Sequence, residues 1–135
     1  MRNFLIIAAL LPLLAACGGS QLIRDRDHTT TRWEALLRWN EFDALVDMMH
    51  PDWLSENPVR SVDLSRLKQF KVSEYRVRQV LAGPDDHSFE RNVQIRLYHV
   101  HSARERVIVH HEVWRYDKKL ERWLLHSGLP DPRRH

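Results

Sequence analysis

From Lys71 to Leu125 apolar and polar residues alternate with a period of two, and this pattern constrains the fold more than any other feature. The apolar members of the four runs are Tyr75, Val77 and Leu81; Val93, Ile95 and Leu97; Val107, Val109 and Val113; and Trp123 and Leu125. Turn-forming residues separate the runs at 83–86, 102–105 and 117–119. Such alternation buries one face of each strand. It therefore predicts a four-stranded antiparallel sheet with short connections.

The preceding segment has helical periodicity. Apolar residues recur at spacings of three and four, at Trp33, Leu36, Leu37, Leu45, Val46 and Met49. Thr29 to Thr31 offer capping hydroxyls before this pattern, Asn40 interrupts it, and His50-Pro51 ends it. We therefore predict a helical hairpin. Residues Pro51 to Asp63 are predicted to form a loop, with Asp63 or Ser65 capping a short turn through Leu67.

Two helices followed by four strands predict a single α+β domain over 28–128, with the hairpin packed on one face of a curved sheet. The order resembles the NTF2-like cone fold, as does the aromatic pairing of Trp114-Arg115-Tyr116-Asp117 before the last turn with Arg122-Trp123-Leu124-Leu125 after it. The resemblance covers roughly Thr29 to Ser127. The cystatin-like arrangement is an alternative with the same elements.

The N-terminus has the pattern of an export signal. Arg2 precedes an apolar run from Phe4 to Ala16. In a helix this run would span about 20 Å, which is shorter than the bilayer core of about 30 Å. Its length and flanks instead indicate a secretory signal peptide over 1–16.

The signal ends in Leu14-Ala15-Ala16-Cys17, which resembles the lipobox of bacterial lipoproteins. That resemblance implies attachment of diacylglycerol to the Cys17 thiol, cleavage before Cys17, and acylation of the new amine with a chain such as palmitate. Two or three acyl chains hold a protein stably on a bilayer. In the Gram-negative lipoproteins that this pattern resembles, an Asp directly after the lipidated cysteine favours retention in the inner membrane. This sequence has Gly18-Gly19-Ser20 there, so the resemblance implies the periplasmic face of the outer membrane.

Two segments flank the predicted domain. Residues 17–27 contain the lipidated cysteine and a stretch, Gly18 to Asp27, that we expect to be a flexible tether. Residues 129–135 are expected to form a frayed polar tail.

Composition excludes several function classes. The net charge is only +3, and the arginines alternate with acidic and apolar residues, so no nucleic-acid partner is predicted. Cys17 is the sole cysteine, which excludes an intrachain disulfide. The sequence has no Gly-x-Ser-x-Gly motif and no glycine-rich phosphate loop, and we predict no cofactor.

Nine histidines are many for this length, and several lie on the central strands. If residues 102–105 close the hairpin, His111 faces Leu97 and lies diagonally opposite His99. His99, His101 and His111 are therefore candidate zinc or copper ligands. The alternative is that these histidines are half-exposed on a solvated sheet, and we predict no bound metal.

His110 and Glu112 share a strand face with Trp114 and Tyr116. Enzymes of the NTF2-like group work inside the cone with a carboxylate or histidine as general base, so this pair is the candidate catalytic site. The alternative is that the aromatic residues pack in the core and Glu112 pairs with an arginine. No residue matches a family catalytic motif position by position, and the sequence favours a non-enzymatic protein.

Trp39 and Trp53 are predicted to be the exposed tryptophans, and exposed tryptophans favour interfaces. We therefore expect a lipid-anchored binding or scaffold module. It would contact an envelope protein or a small apolar ligand near Trp53 and the loop from Pro51 to Val62. An isomerase or hydrolase using His110 and Glu112, and metal capture by histidines, are the alternatives.

Overall fold

A computed structural model describes residues 15–134, with side chains described at position 19 and from Gln21 onward. Four helices precede four strands. The helices are α1 (Ala15–Arg38), α2 (Phe42–Leu45), which continues into a 3₁₀ turn at Val46–Met48, α3 (Pro51–Glu56) and α4 (Ser61–Leu67). The strands are β1 (Phe70–Ala82), β2 (Ser88–His99), β3 (Glu105–Asp117) and β4 (Arg122–Leu125). The predicted signal peptide lies almost wholly outside the described residues.

The four strands form one antiparallel sheet in the order β1-β2-β3-β4. The predicted α+β class, with helices followed by a four-stranded antiparallel sheet, is therefore confirmed. β1 and β2 are joined at the Gly83 turn predicted from sequence, and β1 has two register irregularities, which locally increase strand twist.

Alternation along the central strands decides which side chains enter the core. Odd-numbered residues of β2 and even-numbered residues of β3 face inward, because Val93 pairs with His110 and Ile95 pairs with Ile108. The largest buried side chains on the helical side are Trp33 and Leu37 of α1 and Phe42 and Leu45 of α2. The helices thus cover one face of the sheet, as the amphipathic spacing predicts.

Helix α1 begins earlier than the sequence pattern indicated. Thr29 to Thr31 lie inside the helix instead of capping it, and the predicted flexible tether is wrong for the described part of Gly18 to Asp27, which is helical. Leu22 packs against the core, and its carbonyl accepts a hydrogen bond from Trp123 Nε1 at 3.1 Å. The Arg26 guanidinium lies 5.3 Å from the centre of the Phe89 ring. These contacts stabilise a helix in a segment whose composition alone predicted a flexible coil.

Residues Pro51 to Asp63 are also more regular than predicted. Pro51 occupies the first turn of α3, where its missing N–H costs no hydrogen bond. His50 caps this helix, since its Nδ1 accepts a hydrogen bond from the Asp52 amide at 3.1 Å. At the start of α4, the Arg60 backbone N–H donates to Asp63 Oδ2 at 3.3 Å, and the Arg60 guanidinium forms an ion pair with the same carboxylate. The loop prediction is therefore wrong over these two short helices.

The C-terminal segment is not frayed. Pro130 and Pro132 are buried, Leu129 packs against the core, and Arg106 donates a hydrogen bond to the Pro132 carbonyl at 3.0 Å. The prediction of a free polar tail over 129–135 is wrong up to residue 132, because the three apolar residues of this segment pack against the rest of the domain.

Candidate functional site

Strand β3 presents His110, Glu112 and Trp114 in succession on the inner face of the sheet. His110 is 7% exposed and Glu112 is 0% exposed. The sequence predicted that His110 and Glu112 share a face, and the structure places both of them in the interior. Their surroundings differ, however, and the difference decides what each can do.

Glu112 is held by donors on every side. Trp33 Nε1 and the Tyr75 hydroxyl donate to Oε1 at 2.9 and 2.5 Å. Arg91 donates to Oε2 from Nε and from a terminal nitrogen at 2.9 and 2.6 Å, and Trp114 Nε1 donates to Oε2 at 2.8 Å. Five hydrogen bonds and one ion pair therefore compensate a carboxylate that is fully removed from water.

This cluster, which we call the Glu112 network, also contains the Tyr75–Arg91 contact, in which Arg91 donates to the tyrosine hydroxyl at 2.7 Å. Burial, followed by the negative charge of Glu112, raises the pKa of Tyr75 above its ordinary value. Tyr75 therefore stays a neutral donor. The network is a closed structural unit, which favours the alternative in which Glu112 pairs with an arginine.

His110 contrasts with Glu112. Its ring stacks on Trp33, with centroids 6.4 Å apart and planes 15° apart, and its Nε2 has no hydrogen-bond partner. Burial lowers the pKa of His110 to about 4, against the opposing pull of the Glu112 charge. The imidazole is therefore neutral near pH 7. It makes no hydrogen bond to Glu112, so the two do not form an acid–base dyad.

His110 lines a cleft of about 590 Å³ between helices α3 and α4, strand β3 and the C-terminal segment. The apolar part of its wall is formed by Met49, Trp53, Pro58, Val59, Val109, Leu129, Pro130 and Pro132. The indole nitrogen of Trp53 is buried without a partner, as is His110 Nε2. Buried polar atoms are nearly always hydrogen-bonded, so two unpartnered ones on residues that line one cleft make this cleft the candidate binding site.

Charged groups are also present in the wall of this cleft, which we call the His110 cleft. Arg66 lies 3.3 Å from Asp63, and Arg133 lies 2.8 Å from Asp131. The Arg133 hydrogen bond lowers the pKa of Asp131 to about 2. Arg134 adds a further cation. Among the described lining residues, three arginines therefore face two carboxylates, and the wall is mildly positive.

The wall that carries Trp53 is positioned by His50. The Nδ1 of His50 accepts from Asp52, so its Nε2 carries the proton and donates to Asp117 at 2.8 Å. His126 stacks on His50 at 4.3 Å between ring centroids. Burial lowers the pKa of His126 to about 4, and the nearby His50 acts in the same direction. These contacts fix the start of α3 against the end of β3.

The three candidate metal ligands are not brought together. The register pairs His111 with Asn92, not with Leu97, because the hairpin closes between His99 and Glu105, earlier than predicted. His111 lies on the outer face of the sheet beside Glu90, whereas His99 contacts the core residue Phe70. His101 lies in the turn. Within residues 15–134, no three histidine, cysteine or acidic side chains form a metal-binding group.

The two predicted interface tryptophans differ in position. Trp39 is 77% exposed after the end of α1, as predicted, and it is not among the residues that line the His110 cleft. Trp53 is only partly exposed and forms part of the cleft wall. Their role in binding stays a prediction.

Sequence reasoning missed the partners of Glu112. Arg91 is an odd-numbered residue of β2, in phase with Val93, Ile95 and Leu97, and this phase is a signal that it faces the core. An arginine predicted at a core position requires a buried acid. Trp33 and Tyr75 carried no comparable signal, because aromatic residues at those positions are typical of core packing alone.

Comparison with known proteins gives a fold likeness. No protein-family profile matches the sequence, and no curated protein matches it. A solved structure that matches is the solution structure of a SEC-C motif containing protein from Rhodopseudomonas palustris. It has 16% sequence identity and a TM-score of 0.54, and the match covers 71% of this chain and 70% of that chain. At this identity the likeness shows the fold alone.

None of the helices within residues 15–134 has the length and hydrophobicity needed to cross a bilayer. The side chain of Cys17 lies outside the described side chains, although its backbone belongs to the first turn of α1.

Proposed function

We propose that this protein is a lipid-anchored lipoprotein on the periplasmic face of the outer membrane, whose domain binds a small ligand or a segment of an envelope protein in the His110 cleft. The observation that carries the binding role is the pair of buried ring nitrogens without partners, on Trp53 and His110, in the wall of one cleft. The lipobox at Leu14-Ala15-Ala16-Cys17 supports the anchor.

The size and lining of the cleft support a binding role. Ligand sites are commonly clefts of about 300–1,000 Å³ that combine an apolar wall with a few polar groups. The His110 cleft, at about 590 Å³, has this composition. The helices packed on an antiparallel meander are also what an NTF2-like domain requires, and we propose that finer fold on the sequence pattern.

The course of α1 affects how such an anchored domain would sit. The helix runs through Cys17, and Leu22 is the first residue with a tertiary contact among those whose side chains the structure describes. Five helical residues span about 8 Å, so the domain would be held close to the bilayer instead of moving on a long coil.

A non-enzymatic role is supported by the Glu112 network. A general base needs a free lone pair directed at substrate. Both oxygens of Glu112 already accept hydrogen bonds, and the residue does not line the His110 cleft. The isomerase or hydrolase alternative therefore lacks its carboxylate.

Two measurements test the proposal. The intact mass of the protein extracted from membranes should show diacylglycerol and acyl chains on Cys17, whereas Cys17→Ala should leave the membrane fraction. A mature protein without acyl groups, starting at another residue, would contradict the anchor.

The binding role is tested by crosslinking in membranes, followed by mass spectrometry of what remains bound. Wild type should retain a ligand or partner that Trp53→Ala loses, while the matched variant Trp39→Ala retains it. Equal retention by both variants would contradict a role for the cleft.

A further inference from the structure

The wall of the His110 cleft combines three chemical features that together specify a ligand. Trp53 Nε1 is a donor without an acceptor. His110 Nε2 is a second nitrogen without a partner, on a residue that is only 7% exposed. Around them the wall is apolar, with proline, leucine, valine and methionine side chains.

An indole N–H can only donate, so the group that satisfies Trp53 must accept. The neutral imidazole donates or accepts according to its tautomer, and it would donate to the same kind of group in its Nε2–H form. An acceptor oxygen on the ligand therefore satisfies Trp53 in either case, and it also satisfies His110 when the proton is on Nε2.

The charge of the wall selects among acceptors. Arg66 and Arg133 are each paired with an aspartate that leaves donors on the guanidinium group uncommitted, since a guanidinium carries five N–H donors. Arg134 increases the positive potential, and its charge disfavours a proton on His110. A negatively charged acceptor gains from these cations, whereas a second cation would be repelled.

From these features we infer that the His110 cleft takes a small amphiphilic carboxylate: an apolar body against Trp53, Leu129 and the prolines, with a carboxylate directed to the arginines. Because both ring nitrogens are enclosed, the carboxylate reaches them only when the side chains that cover them move. This inference rests on the proposed binding function and narrows it to one class of ligand. Neither the Glu112 network nor any metal is required.

The test uses the mature protein as the cell makes it, in nanodiscs if it is lipidated, with 4-phenylbutyrate as the probe. 4-Phenylbutyramide is the matched neutral probe, because it keeps the shape and loses the charge. Nitrogen-15 spectra resolve the indole N–H groups, and Trp53→Phe identifies the Trp53 signal by its loss. The expected result is a shift of the Trp53 signal, with the Trp39 signal unchanged.

The charge requirement is tested with variants. Because the arginines are partly exposed, we expect the acid to bind about fivefold more tightly than the amide, and Arg133→Gln to remove most of that difference. High salt should weaken the binding of the acid and leave the binding of the amide unchanged. Arg104→Gln, an exposed arginine that is not part of the cleft wall, is the control and should have no effect.

The outcomes separate the inference from the function on which it rests. Equal affinity for acid and amide, or unchanged discrimination in Arg133→Gln, would overturn the carboxylate inference while leaving a binding cleft. If neither probe shifts Trp53 but Trp53→Ala still loses its crosslinked partner, the ligand class is wrong and the binding function stands. If both experiments fail, both proposals fall.

Discussion

Two neighbouring inward-facing positions on β3 have opposite hydrogen-bonding states. Glu112 is completely buried and accepts five hydrogen bonds from four side chains, whereas His110, two residues earlier on the same face, has an Nε2 without a partner. A buried charge with every lone pair used contributes to a single, rigid core arrangement. A buried nitrogen with none used costs free energy of folding, and we propose that a bound ligand offsets this cost.

The largest effect on stability is expected from disrupting the Glu112 network. Glu112→Gln removes the charge that compensates Arg91 and leaves a buried guanidinium without its ion pair. Losing one partner of a buried pair costs about 3–5 kcal/mol in the free energy of unfolding. Urea unfolding monitored by tryptophan fluorescence measures this loss.

If Glu112→Gln does not fold, the double variant Arg91→Met with Glu112→Leu keeps the prediction testable. Removing both charges should restore part of the lost stability, because no uncompensated charge then stays buried. A double variant that is unfolded under the same conditions as Glu112→Gln would contradict this account of the network.

The pH dependence of stability should come mainly from His110. His110 has a pKa of about 4 in the folded protein and about 6.5 when unfolded. Between these values only the unfolded chain binds the proton, so stability is full above pH 6.5 and falls by about 3 kcal/mol as the pH drops to 4. Urea unfolding across this range measures the slope.

His110→Phe should remove this contribution and flatten the dependence of the free energy of unfolding on pH, because phenylalanine keeps an aromatic ring but has no nitrogen that titrates. The depressed pKa of His126 adds a slope of the same sign, which His126→Gln removes separately. An unchanged slope in His110→Phe would mean that His110 is not buried in its neutral form.

A smaller effect is expected from Tyr75→Phe. The change deletes one hydroxyl that donates to Glu112 and accepts from Arg91, without removing the ring from the core. Hydrogen bonds to charged groups contribute about 1.5–3 kcal/mol, so we expect a loss of about 2 kcal/mol. Thermal unfolding by circular dichroism is the measurement, and no shift in midpoint would mean that the network tolerates an open position.

The smallest effect is expected from Trp53→Phe. Its indole N–H has no partner, so its removal breaks no hydrogen bond, and stability should change by about 0.5 kcal/mol or less. Trp33→Phe is the matched comparison, because the Trp33 indole N–H donates to Glu112 and its loss should cost more. Equal losses in the two variants would show that ring volume, not hydrogen bonding, distinguishes the two regions.

Alternation predicted the four strands and the Gly83 turn, and β1 runs where it was predicted. Alternation did not identify the buried face of every strand, because Val77 of β1 and Val107 and Val109 of β3 are exposed. The turn between β2 and β3 was predicted at 102–105, but it starts at Val100. This earlier turn changes the partner of His111 from Leu97 to Asn92. A register depends on where the turn closes, which local composition fixes only loosely.

The helices show the same division. The spacing of Trp33, Leu36 and Leu37 correctly predicted a helix. Asn40, which adopts a positive φ of 59°, correctly predicted the interruption of the helical pattern. The start of α1 was not predicted, because residues 24–28 are all polar. The helix is held there by contacts of Leu22 with Trp123 and of Arg26 with Phe89, about a hundred and about sixty residues away.

The sequence by itself determined the class of fold, the shared face of His110 and Glu112 and the lipobox pattern, because periodicity and motifs are local properties of the chain. Only the tertiary structure decided that Glu112 is enclosed by Trp33, Tyr75, Arg91 and Trp114 while His110 faces a cleft. The physical reason is that hydrogen-bond satisfaction depends on side chains brought from distant parts of the chain, and no local pattern records which donors arrive.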